Sequence, residues 1–342
     1  MSKIEFSYSN NGKEIKISGE GGEVKEIAKL TLNPSSAFVG AMSLLSLKNS
    51  FDFNEEVEKP MKSRAIIKKI NAHTVEVNGY KLSLKDEDID FEVTPGRDYY
   101  VYELYDGQPF ISDGKDLTDK KIGGFHYGLA PEDFEPINNI DKTHAKKIAG
   151  INAYSIYDEK HRPKCNPEGM VYIPKLDIWA DIYLLNSEHK GNGTSFSSGS
   201  IAAGYESNGR KKPHGEKNLV GKVINAIANL HNKRLPTKDE FQVFADGVKE
   251  NDSARDLDDG TIKFLENFTS KYGINQATGV QWTWTSTEYG EDRESDPRYI
   301  CGGSRYSNSD AGSRSANWSY FGHGSYWLYG CRFVCDPLNP VK

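Results

Sequence analysis

From Trp282 onward the chain concentrates four of its five tryptophans (Trp282, Trp284, Trp318 and Trp327) in a stretch dense in Tyr, Ser, Gly and Asn. A segment of that kind cannot be a run of regular helix, because Gly and Asn break the backbone pattern and no apolar stripe recurs at helical spacing. The same mixture fills recognition loops, where Tyr and Trp supply rigid contact area and Ser, Gly and Asn supply adaptable hydrogen bonding. It equally suits a glycine-rich loop bundle that packs its own aromatic rings. Composition leaves both readings open.

Upstream, two regions have clearer periodicity. Val75 and Val77 alternate with Thr74 and Glu76, Asn78-Gly79 follows, and Tyr80, Leu82 and Leu84 alternate again. Asn-Gly between alternating runs predicts a hairpin, since both turn positions need positive φ. Asp98 to Tyr105, Asp106-Gly107 and Pro109-Phe110-Ile111 repeat the pattern, so a small β-sandwich is expected over residues 59–125. Leu219, Val220, Val223, Ile224, Ile227 and Leu230 recur at helical spacing and predict an amphipathic helix ending near Asn232. Thr237 and Glu240 form a capping box that opens a second helix bearing Phe241 and Phe244. Helices followed by a long strand-and-loop region predict an α+β domain over 126–342. Residues 1–58 read as a β-rich segment with no legible function, strand-like at Glu14 to Ser18 and turn-like at Gly19-Glu20-Gly21-Gly22.

The formal net charge of −6 argues against non-specific attraction to nucleic acid or an anionic membrane. Ala37 to Leu47, the most apolar run, would span only about 16 Å as a helix, too short for a bilayer. The opening Met1-Ser2-Lys3-Ile4-Glu5-Phe6 lacks an apolar signal core, so synthesis in the cytoplasm is expected. Cys165, Cys301, Cys331 and Cys335 form no C-x-x-C pair. Cys331 and Cys335 on one strand would lie about 13 Å apart, too far for a disulfide, so buried free thiols are expected. The eight scattered histidines include no H-E-x-x-H, and neither a G-x-S-x-G nor a phosphate-binding loop is present.

Several motifs carry a family resemblance. They include Lys121-Ile122-Gly123-Gly124-Phe125-His126-Tyr127, Trp179-Ala180-Asp181-Ile182-Tyr183-Leu184-Leu185 and Lys233-Arg234-Leu235-Pro236 with Glu240-Phe241. Trp282-Thr283-Trp284, Gly302-Gly303, Ala311-Gly312-Ser313-Arg314, Trp318 and Gly330-Cys331-Arg332-Phe333-Val334-Cys335-Asp336 follow in order. Over residues 65 to 337 or so, the chain resembles the variable proteins of diversity-generating retroelements. The resemblance implies a C-type-lectin-like C-terminal domain in which fixed residues hold a scaffold while chosen positions vary. Carried over position by position, the varied, ligand-binding sites are Ser304, Tyr306, Asn308, Asp310, Asn317, Ser319, Tyr320, Gly324, Tyr326, Leu328 and Tyr329. Every one is a residue that adenine-directed mutagenesis of an AAY codon can reach.

In extended chain, Ser304, Tyr306, Asn308 and Asp310 would share one face. The tyrosines at 306, 320, 326 and 329 are expected to be exposed anchors, with Arg305, His323 and Trp327 as neighbouring contacts. Arg314, Trp318 and Arg332 are expected to pin the scaffold. The implied function is a virion-borne receptor-binding protein of tail-fibre type, a homotrimer recognising a host cell-surface protein, with a glycan as the other ligand class. A cell-encoded display or adhesion protein with the same domain is the alternative. An enzyme of the formylglycine-generating type, which shares the fold, ranks below both because the paired-cysteine motif is missing. No cofactor is expected. Glu135-Pro136-Ile137 and Trp318-Ser319-Tyr320 do not match the calcium-ligand motifs of classical lectins, although the many Asp residues leave room for a structural calcium ion.

Overall fold

Asn78 and Gly79 both take positive φ, 51° and 91°, and the expected hairpin closes with Val77 opposite Tyr80. The computed structural model describes residues 4–8, 15–19, 66–114, 119–136, 140–203, 219–288, 298–318 and 326–340. Two units divide the chain, residues 1–63 and 64–342. In the first, β1 (Ile4–Tyr8) pairs antiparallel with β2 (Ile15–Gly19), which contains the strand read from alternation at Ile15 and Ile17. The apolar run 37–47 and the turn residues 20–22 lie outside the described residues.

The second unit begins with two sheets. Strands β3 (Ile67–Lys69), β4 (Thr74–Val77) and β5 (Tyr80–Ser83) form an antiparallel meander. β6 (Arg97–Glu103), β7 (Pro109–Ser112), β8 (Lys120–Tyr127) and β9 (Tyr157–Asp158) form a second sheet in the order β7-β6-β8-β9. Val75 and Val77 from one sheet, and Tyr99, Val101 and Phe125 from the other, bury their side chains in one shared core. That is the sandwich the alternation predicts. The second turn differs from expectation. Gly107 alone is left-handed, its N–H bonds to the Leu104 carbonyl, and Leu104 N–H donates to the Gln108 carbonyl. Asp106-Gly107 therefore completes a three-residue loop rather than forming a two-residue turn.

Beyond residue 127 the arrangement becomes mixed. Four helices are described: α1 (Lys142–Ile148), the single-turn α2 (His189–Asn192), α3 (Gly221–Leu230) and α4 (Lys238–Phe244). Ile224 and Ile227 turn inward on α3, and the chain leaves it through Asn232, whose φ of 54° allows Lys233 N–H to reach the Ala228 carbonyl. On α4 the capping box is complete, with Thr237 and Glu240 satisfying each other's backbone N–H. Phe241 and Phe244 are fully buried. Strand β11 (Ile178–Asp181) lies between β10 (Met170–Ile173) and the C-terminal β16 (Val334–Cys335), pairing with both. A further sheet has the order β14 (Ala316–Asn317), β13 (Arg298–Cys301), β12 (Trp282–Glu288), β15 (Tyr329–Gly330).

Polar pins tie the sandwich to this mixed region. His126, fully enclosed, places Nδ1 3.1 Å from Asp98 and Nε2 2.8 Å from the Tyr183 hydroxyl. Asp98 also accepts the Gly169 N–H. Deeper still, Lys233 Nζ donates to Asp181 at 2.6 Å and to Thr194 at 2.8 Å, while the Thr194 hydroxyl donates to the other Asp181 oxygen. These pairings give physical content to the upstream motifs. All four cysteines are buried free thiols, as expected.

Candidate functional site

Thr283, near the start of β12, has two register partners: Cys301 of β13 on one side and Gly330 of β15 on the other. β13 runs antiparallel to β12 and β15 runs parallel to it. The segment 302–329 thus leaves from one flank of a buried strand and returns to the opposite flank, with both ends clamped by sheet hydrogen bonds. Gly302 and Gly303 make the exit possible. Both have positive φ, and a Cβ on Gly302 would come within 2.8 Å of the Phe241 ring.

After that exit the chain does not run extended. Ser304 N–H donates to Ser307 Oγ, and Asn308–Asp310 forms a turn of 3₁₀ helix entered through Asn308 at φ 48°. Serine hydroxyls compete with sheet pairing for backbone N–H groups in this way. The expected shared face of Ser304, Tyr306, Asn308 and Asp310 is therefore corrected: Ser304 is buried in the turn, whereas Tyr306, Asn308 and Asp310 face solvent. Asn317, Tyr326 and Leu328 are half-buried at the margin.

Tyr329 requires a second correction. It is only 4% exposed, edge-on to Trp284 at 5.7 Å between ring centres, and belongs to the core beneath β12. Its position in β15, facing the core, overrides the expectation of an exposed anchor. Tyr306 fits that expectation at 42% exposure. Ser319, Tyr320, Gly324 and His323 lie outside the described residues.

The scaffold pins divide likewise. Arg332 is fully buried and donates to the backbone carbonyls of Asp181 (2.8 Å) and Asn275 (2.6 Å). Burial lowers its guanidinium pKa to about 9. Trp318 is 52% exposed, with its ring edge-on to Tyr299, and Arg314 is exposed, so neither is a buried pin.

A loop that sequence reading passed over supports the face from below. The Arg305 guanidinium stands 2.6 Å from the Asp258 carboxylate and lies over the Trp327 ring. Trp327 in turn meets Tyr306 edge-on at 5.4 Å, and Arg255 covers the Tyr306 ring. Burial raises the Asp258 carboxyl pKa, and Arg305 opposes that rise. Glu250 accepts the backbone N–H of Ser313 and, in a very short contact, its hydroxyl. A Cβ at Gly312 would fall 2.0 Å from the Glu250 carboxylate, which accounts for the Gly-Ser step of that motif. The available signal was the Asp-rich stretch 246–259, whose carboxylates had no assigned partners. The result is a ring-and-guanidinium cluster suited to contact by shape, stacking and hydrogen bonding. Among the described residues, no group of His, Cys, Asp and Glu side chains is placed to hold a metal ion.

No protein-family model matches the chain. The tail fiber receptor-binding protein of Bordetella phage BPP-1 is 32% identical over 283 residues, spanning 72% of each chain. Among solved structures, the M1 variant of the major tropism determinant superposes with a TM-score of 0.67 at 28% identity, covering 83% of this chain and 86% of that one. The U1 variant superposes at 0.64 with 25% identity, covering 97% and 94%.

Proposed function

The chain belongs to the family of the phage tail-fibre receptor-binding protein, and on that premise we propose that its 302–329 face binds a protein on the host cell surface. Its α+β fold is the C-type-lectin-like fold of the major tropism determinants, and its role is recognition rather than catalysis. As a receptor-binding protein of this family it is a component of the virion.

One observation carries the placement of the binding face: Tyr306, Trp327, Arg305 and Arg255 converge on a segment whose two ends are locked to β12. Tyr306, Asn308 and Asp310 supply its exposed contacts, with Asn317, Tyr326 and Leu328 at the margin and Ser319, Tyr320 and Gly324 completing the varied set. Aromatic and Arg side chains are the residue types that dominate binding energy at such interfaces. Ser304 and Tyr329 act from within, setting the turn and the core. Retroelement diversification and a homotrimeric state belong to the same proposal, and several copies on one particle would multiply modest single-site affinity by about 10²–10⁴.

The test is flow cytometry of the labelled full chain on a panel of bacterial cells, before and after protease or periodate treatment. Binding that protease removes and periodate leaves intact, and that falls at least tenfold in Tyr306→Ser/Asp310→Ala at unchanged melting temperature, supports the proposal. Periodate sensitivity would make the ligand a glycan. Binding indifferent to both substitutions would move the site elsewhere.

A further inference from the structure

Cys165 and Cys335 lie far apart in sequence but are buried in the same small cluster of the fold. Pro163 and Pro337 form an antiparallel bridge, framed by Lys164 N–H donating to the Asp336 carbonyl and Leu338 N–H donating to the Arg162 carbonyl. That bridge stands two residues from each cysteine, before Cys165 on one segment and after Cys335, the last residue of β16, on the other. Both thiols are buried in one small cluster with Tyr157, Met170 and Trp179. Cys165 Sγ lies 3.4 Å from the Met170 sulfur, and Cys335 Sγ lies 3.5 Å from the Asn232 carbonyl oxygen. Cys301 and Cys331 sit in two other core clusters, each fully buried.

We infer that Cys165 and Cys335 are a site of thiol–disulfide exchange, joined as a disulfide when the protein meets a small-molecule disulfide such as glutathione disulfide. The bond would tie the turn ahead of β10 to the C-terminal strand, closing a covalent ring that contains the whole binding face. Cys335 is the attacking sulfur. Hydrogen bonds from the Cys165 thiol and from the Cys165 and Lys164 N–H groups hold its pKa below the usual thiol value, whereas Cys165 is raised.

Deprotonated Cys335 attacks one sulfur of glutathione disulfide. That S–S bond breaks, and a glutathione thiolate leaves with the electron pair. Cys165 then loses its proton and attacks the Cys335 sulfur, expelling the second glutathione thiolate. Two protein thiols are oxidised, one glutathione disulfide is reduced, and the two released protons end on two glutathione thiols. Cytoplasmic redox conditions keep the pair reduced, and an oxidising medium outside the cell allows closure.

The test is peptide mapping of the full chain after incubation with glutathione disulfide, alkylation and digestion without reduction. The expected product is a peptide linked through Cys165 and Cys335. The melting temperature should rise by about 5–10 °C and return when dithiothreitol is added. Cys165→Ser should stop at a glutathione adduct on Cys335 and show no rise. A folded wild-type protein that yields only adducts, a link through Cys301 or Cys331, or no modification would overturn the inference. The wild-type map decides the matter even if the variant fails to fold.

Discussion

The Arg305 guanidinium sits 2.6 Å from the Asp258 carboxylate, whose side chain is wholly enclosed, and the same guanidinium carries the Trp327 ring. One ion pair therefore supports both the loop beneath the face and an aromatic on it. Arg305→Ala would leave the carboxylate buried without its counter-charge, at a cost of about 3 kcal/mol at neutral pH. The pH dependence has a definite sign. Asp258 is raised in the folded state, so the fold takes up its proton more readily than the unfolded chain does. Stability from this group is present at low pH and is lost as pH rises through the folded value. Removing Arg305 raises that value further. Urea titrations should therefore show a smaller deficit for Arg305→Ala near pH 5 than at pH 7, and an equal deficit at both would remove Asp258 from the explanation.

The aromatic residues on the face separate by burial. Tyr306→Ser should change stability by no more than about 0.5 kcal/mol, because a largely exposed ring loses little when truncated. Tyr329→Ser should cost about 3–5 kcal/mol, since it opens a cavity against Trp284. Thermal melts of the two single variants check this directly. Similar losses in both would return Tyr306 to the core.

In the interior, Lys233→Met strands the fully buried Asp181 carboxylate and should cost about 3–5 kcal/mol. Adding Asp181→Asn removes the stranded charge, so the double variant should be more stable than Lys233→Met alone. Denaturant midpoints for the cycle of four proteins give the coupling energy. A double variant less stable than the single one would mean that Thr194 and the amide clash rather than pair.

Local chemistry was legible wherever one or two residues decide the backbone. Asn78-Gly79 specifies its turn, Thr237 and Glu240 specify the start of α4, and the apolar stripe specifies α3. The resemblance supplied the fold. What escaped was set by contacts distant in sequence. Tyr329 is indistinguishable from Tyr306 as a letter, and only β15 pairing beside β12 turns it inward. The alternation of 304, 306, 308 and 310 fits a strand, but Ser307 captures the Ser304 N–H and bends the chain into a turn. Glu250, Arg255 and Asp258 went unassigned because their partners are roughly 50–60 residues away in the chain.

The shared register of Cys301 and Gly330 on Thr283 has a consequence for how such a chain can evolve. Two inter-strand spacings fix the gap between the ends of the segment at about 10 Å, whatever lies between them. Closing a longer loop over a fixed gap costs only about 0.6 kcal/mol per doubling of its length. Insertions at the segment's exposed positions therefore carry a small entropic cost, while Gly302, Arg305 and Tyr329 keep its ends in place.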